Sequence, residues 1–118
     1  MRRTALLLVA VTALAAAKSI VLTLDAPDGS ISGLAWGGGN LWAVDEVSDT
    51  VYELDPNSGT VLSSFGLTNP AYIFPTGLAY SETYSMILVG FWDSGTNGYV
   101  YKYSFTGGFL GSVTMCGG

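Results

Sequence analysis

The feature that most constrains this chain is a repeat. Gly33-Leu34-Ala35-Trp36 returns as Gly77-Leu78-Ala79-Tyr80, an offset of 44. Trp42-Ala43-Val44 matches Ile87-Leu88-Val89 at 45, and Val51-Tyr52-Glu53-Leu54 matches Val100-Tyr101-Lys102-Tyr103 at 49. Gly59 with Val61-Leu62 matches Gly107 with Phe109-Leu110 at 48. Four apolar segments thus recur in one order, and the drift in offset falls in the turns. A recurrence at this period points to stacked supersecondary units rather than to one irregular core.

Each segment is about five residues long and rich in Val, Leu, Tyr and Trp, the composition of half-buried strands. The punctuation agrees. Gly37-Gly38-Gly39-Asn40 and Asp55-Pro56-Asn57-Ser58-Gly59 supply positive-φ and side-chain-capped turns, and no stretch after residue 18 has a helical period. Repeated sets of four antiparallel strands predict an all-β chain of β-propeller blades. Strands a to d fall at 33–36, 41–44, 50–54 and 60–65, then at 77–80, 86–91, 99–105 and 109–115. Strand a is the inner one, where small residues suit crowding at the axis.

The first 17 residues read as a secretory signal. Arg2-Arg3 form its basic start, Leu6 to Leu14 its apolar run, and Ala15-Ala16-Ala17 its small-residue cleavage site. The run is too short to span a membrane, which takes about 20 apolar residues. The expectation is a secreted or periplasmic protein with no membrane insertion of the mature chain. Cleavage leaves two lysines against nine acids, moving the net charge from −5 to −7. A nucleic-acid partner is not expected, because neutralising phosphate takes clustered Lys and Arg. The single cysteine, Cys116, rules out a disulfide framework.

Ser19–Leu24 reads like Thr60–Phe65 and precedes the first strand a as that segment precedes the second. The expected organisation is therefore a partial blade at 18–32, blade one at 33–74 and blade two at 75–118: an outer strand followed by two four-stranded antiparallel blades. Blades do not wrap around a core of their own, and about three repeats are usual for stability. Self-association through blade faces is one expected remedy, three chains making six blades for example. Missing blades of a longer chain are the other, and the ending Met115-Cys116-Gly117-Gly118, which carries no closing device, leans that way.

Gly33–Trp36, Leu41–Asp45 and Val51–Leu62 resemble blades of secreted six- or seven-bladed propellers of the YVTN, NHL-like and streptogramin-lyase-like kinds. The resemblance covers nearly all of the mature chain and implies the fold more than the activity. Blade two departs from it: Gly90 stands in place of Asp45, and Thr106-Gly107-Gly108 replaces the Asp-Pro-Asn-Ser-Gly turn. Related lyases and lactonases rely on residues spread over several blades, and no such set can be assigned here.

In a meander, the d–a and b–c connections share one end, the usual ligand side of a propeller. That end gathers Asp45, Glu46, Tyr72, Phe74, Trp92 and Asp93. Carboxylates beside aromatics suit a sugar, by stacking and hydrogen bonding. Asp45, Glu46 and Asp93 offer oxygen ligands to Ca²⁺, although no cofactor is required. The competing reading is local: Asp45 and Asp93 cap turns and the aromatics pack between blades. Trp36, Trp42, Tyr52 and Tyr101 lie within strands and are expected in the core. Catalysis finds little support, because the chain has no histidine, no nucleophile elbow and no zinc pattern. The expected function is a non-catalytic binding module, with part of a propeller hydrolase or lyase, or a small oligomeric lectin, as alternatives.

Overall fold

A computed structural model of the chain describes residues 18–68 and 74–116. The expected signal segment, Tyr72 and the last two glycines lie outside the described residues. Eight strands follow one another: β1 Ile31–Gly37, β2 Asn40–Asp45, β3 Thr50–Leu54, β4 Val61–Gly66, β5 Phe74–Ser81, β6 Met86–Trp92, β7 Asn97–Tyr103 and β8 Phe109–Cys116. They form two four-stranded antiparallel sheets, β1-β2-β3-β4 and β5-β6-β7-β8, each a plain meander. The chain is thus all-β and built as two propeller-type blades. The first hairpin closes on Gly38 and Gly39, at φ 62° and 77°, between the partners Gly37 and Asn40. Two positive φ values in a two-residue loop favour glycine, with Asn or Asp tolerated at the first position.

Pairing corrects the repeat in one place. Leu34 pairs with Ala43 and Ala35 with Trp42, whereas Leu78 pairs with Val89 and Ala79 with Leu88. Strand a keeps its offset of 44, so strand b must be matched at 46, not 45: Trp42 corresponds to Leu88 and Ala43 to Val89. Strands c and d keep 49 and 48, since Leu54 pairs with Leu41 and Val61, as Tyr103 pairs with Ile87 and Phe109. A one-residue slip exchanges the two faces of a strand, so the correction decides which side chains look which way.

With that register, each blade has a forward and a back face. Trp42, Val44, Val51 and Phe65 lie on the forward face of blade one and pack on Ile87, Val89, Phe91 and Tyr103 on the back face of blade two. Several contacts set the joint. Tyr80 stacks on Phe105 at 4.8 Å, and Trp42 closes over both at 5.8 and 6.1 Å. The Trp42 indole N–H, carried into the interior, donates to the Gly37 carbonyl at 3.0 Å. Nearer the axis, a Cβ on Gly33 would lie 3.1 Å from the backbone of Gly77, so the inner strands approach as closely as a missing side chain permits. The Tyr103 hydroxyl crosses the joint to the Thr68 carbonyl at 2.7 Å. Fully burying a large apolar side chain contributes about 1.5–3 kcal/mol, so this seam holds most of what keeps the blades together.

Ser19–Leu24, expected as an outer strand, belongs to neither sheet, and the described strands begin at Ile31. No strand of either blade pairs with it. Ile20 and Val21 are accordingly almost fully exposed. The following residues nonetheless lie along blade one. Leu24 sits 3.3 Å from where a Cβ of Gly59 would be, and Leu24 and Pro27 help to line a groove of about 180 Å³ with Ile31, Leu41, Ala43 and Leu54. Trp36, expected in the core, is 63% exposed. It lies on the back face of blade one, where its counterpart Tyr80 finds a blade to pack on.

Candidate functional site

The b–c and d–a connections do lie at one end, and the carboxylates there are held by their own turns. Asp45 closes β2 as Ile31 and Thr50 flank it. Its side chain is buried. One oxygen accepts the amides of Val47 and Ser48 at 2.8 Å each, and the other accepts the Ser30 amide at 2.7 Å. Desolvation pushes its pKa up, but the amides of Ser48, Ser30 and Val47 together outweigh it and hold the group below the ordinary 3.8. Glu46 is exposed, and its amide donates to the Ser30 carbonyl at 3.0 Å.

Asp93 repeats the pattern more loosely. It accepts the amides of Gly95 at 2.8 Å and Asn97 at 3.3 Å, and the Tyr99 hydroxyl at 3.3 Å. Those bonds, the Gly95 amide foremost, lower its pKa. The b–c loop of blade two is three residues longer than that of blade one, by the corrected register; the sequence offsets imply four. Phe74 and Trp92 are direct cross-strand partners at the ends of β5 and β6. They are 52% and 48% exposed, and the Trp92 indole donates to the Gly95 carbonyl at 3.1 Å.

Of the six residues expected at this site, Phe74, Trp92 and Asp93 come together at the loop end of blade two. Asp45 and Glu46 lie at the same end of blade one, with Asp45 on the back face, turned away from blade two. Tyr72 is outside the described residues. Among the described residues, no three His, Cys, Asp or Glu side chains are placed to share a metal ion.

A second polar cluster was not foreseen. Asp28 accepts the Gly29 amide at 2.7 Å and the hydroxyls of Ser48 and Tyr52 at 2.8 Å each. These bonds, the Gly29 amide first, lower its pKa, and the bond to Asp28 raises that of Tyr52. Asp49 beside them is raised by partial burial and then by the charge of Asp45. The cluster clasps the N-terminal segment to the first b–c turn. The sequence hint is Asp28-Gly29, a turn pair, with Tyr52 at an alternate position of strand c. Tyr52, expected in the core, is half-buried and serves this clasp, whereas Tyr101 packs between Phe91 and Phe109.

No family model matches this sequence, and no curated protein matches it. Among solved structures the chain is similar to a europium-containing methanol dehydrogenase, with a TM-score of 0.54 and 22% identity over 74% of this chain. It spans 16% of the length of that protein. The likeness is to a propeller enzyme and carries the fold alone.

Proposed function

We propose that this chain is a secreted, non-catalytic propeller module of the YVTN or NHL-like kind, binding protein or ligand surfaces as a two-blade unit or within a larger propeller. The observation that supports this reading best is the pair of unsatisfied blade faces. Leu34 is 60% exposed on the back face of blade one, and Val113 and Met115 are half-exposed on the forward face of blade two. Apolar side chains left exposed on the face of a sheet suit an interaction surface. In this reading Asp45 and Asp93 serve as caps of their own turns, each engaged by backbone amides. Light scattering on residues 18–118 tests the reading: the chain is expected to self-associate, and a stable monomer at micromolar concentration counts against it.

One observation favours a lectin as the second reading. Phe74 and Trp92 present an exposed cross-strand aromatic pair beside Asp93. Sugars stack on such surfaces and hydrogen-bond at the edge. A glycan-array signal lost on Trp92→Ala would support it, and a blank array with the wild-type chain would remove it.

A further inference from the structure

We infer that Leu24–Ser30 is a strap that closes part of the back face of blade one in place of a neighbouring blade, and that the Asp28 clasp is the latch that keeps it shut. The strap belongs to the chain by itself, whatever its blade faces meet, and so goes beyond the module reading. Blade two shows what a covered back face looks like. Ile87, Val89 and Tyr103 are buried there beneath blade one. Their equivalents on blade one, by the corrected register, are Leu41, Ala43 and Leu54. Among the described residues no blade lies over these three, yet Ala43 and Leu54 are as buried as Val89 and Tyr103.

The cover is the N-terminal segment. Leu24 and Pro27 face Leu41, Ala43 and Leu54 across the groove of about 180 Å³. The segment's position repeats that of a blade. A Cβ on Gly107 would run into the Phe65 ring, and at the equivalent Gly59 the neighbour is Leu24. Leu24 thus takes, on the back face of blade one, the place that Phe65 of β4 takes on blade two. The cover is thinner than a blade. Leu34 and Trp36, on the same face, stay exposed. Ala43 and Leu54 are smaller than Val89 and Tyr103, and a groove remains beneath the segment, whereas aromatic rings fill the joint between the blades. Loose packing gives up dispersion contacts, so apolar contact alone holds the segment weakly.

The polar ties sit at one end of the segment. The Ser30 amide donates to Asp45 at 2.7 Å, and the Ser30 carbonyl accepts the Glu46 amide at 3.0 Å. These two bonds anchor the point where the segment enters β1. Two residues earlier, one oxygen of Asp28 accepts the hydroxyls of both Ser48 and Tyr52, at 2.8 Å each. Ser48 belongs to the b–c turn, and Tyr52 is the cross-strand partner of Ala43 and shares its face. Asp28 therefore ties the segment to the same sheet surface that Leu24 and Pro27 cover. Releasing it lets the residues ahead of Ser30 swing away about that anchor, and opens Leu41, Ala43 and Leu54 to water.

Thiol labelling of Ala43→Cys, in a Cys116→Ser chain, tests this, with Asp28→Ala or Leu24→Ser added and with Val89→Cys as the reference position beneath blade one. Labelling of Ala43→Cys should be slow, and Asp28→Ala should speed it at least about tenfold, the lower end of what hydrogen bonds to a charged group are worth. Leu24→Ser should speed it in the same sense. Neither change should alter the labelling of Val89→Cys. If Ala43→Cys reacts as fast as a free thiol before either change, the segment is no cover and the strap is wrong. If Asp28→Ala leaves the rate where it was, Asp28 is no latch and the strap falls equally. A matching rise at Val89→Cys would mean general unfolding and would overturn it as well. Self-association is read separately by light scattering, so the strap and the module reading fail independently.

Discussion

The forward faces of the two blades have the same backbone and different fillings. Blade one presents Trp42, Val44, Val51 and Phe65, and all four are covered by blade two. Blade two presents Leu88, Gly90, Val100 and Val113 at the equivalent positions, with Val113 half-exposed. Covered positions hold large side chains fixed by partners; open ones hold smaller side chains with freedom to rearrange. Strand identity thus comes from local pattern, whereas side-chain size is set by what lies opposite.

Substitutions at paired positions sharpen that contrast, and the largest effect belongs to the joint. Trp42→Ala removes a buried indole, its contacts with Tyr80 and Phe105 and its bond to Gly37. It should cost about 3–5 kcal/mol in chemical denaturation. Leu88→Ala at the matching open position should cost less than about 1 kcal/mol in the dilute chain. Equal losses would mean that the covered and open positions are not packed differently. Tyr103→Phe comes next. It deletes the hydroxyl bond to the Thr68 carbonyl across the joint and leaves the ring among Phe65 and Phe109. A loss of about 1 kcal/mol is expected, the net worth of such a bond plus the unpaired acceptor.

The turns allow a comparison by pH. Asp28, Asp45 and Asp93 all sit below 3.8 in the folded chain. A lowered pKa contributes stability that is complete above the unfolded value and lost as pH falls through the folded one. Asp49 is raised, so its contribution is complete below 3.8 and lost as pH rises through its folded value. Stability should therefore drop on acidification below about pH 4, and Asp45→Asn should flatten that limb. Asp49→Asn should give a small gain at neutral pH, because Asn also tolerates the φ of 50° found there. Thermal melts at pH 3 to 7 check both signs. The smallest effect is expected for Trp92→Ala, within about 0.5 kcal/mol of wild type, as for exposed positions generally.

Eight strands, their order and the meander were legible because Gly-rich and Asp-rich turns punctuate apolar runs. The register of strand b was not. Leu41-Trp42-Ala43-Val44 and Met86-Ile87-Leu88-Val89-Gly90 are continuous apolar runs, buried or half-buried on both faces, and a run without alternation does not say which residue looks which way. Trp36 and Tyr52 look like core residues for the same reason, since aromatic content speaks for a strand and not for its neighbour. The turn-capping roles of Asp45 and Asp93 could be read from Asp at the end of a strand. The Asp28 clasp could not, because it joins residues 20 and 24 positions apart. The fate of Ser19–Leu24 depended on whether a partner strand exists, which no local pattern records.

Blade packs on blade most tightly at the joint between the inner strands. Denaturation of Gly33→Val and Gly77→Val at a concentration too low for assembly measures it directly. A Cβ at Gly33 meets the Gly77 backbone at 3.1 Å, and one at Gly77 meets open space. Gly33→Val should therefore lose about 1–3 kcal/mol to overpacking, while Gly77→Val stays within about 0.5 kcal/mol of wild type. Equal losses at the two positions, or the larger loss at Gly77, would contradict the packing of blade on blade described for this chain.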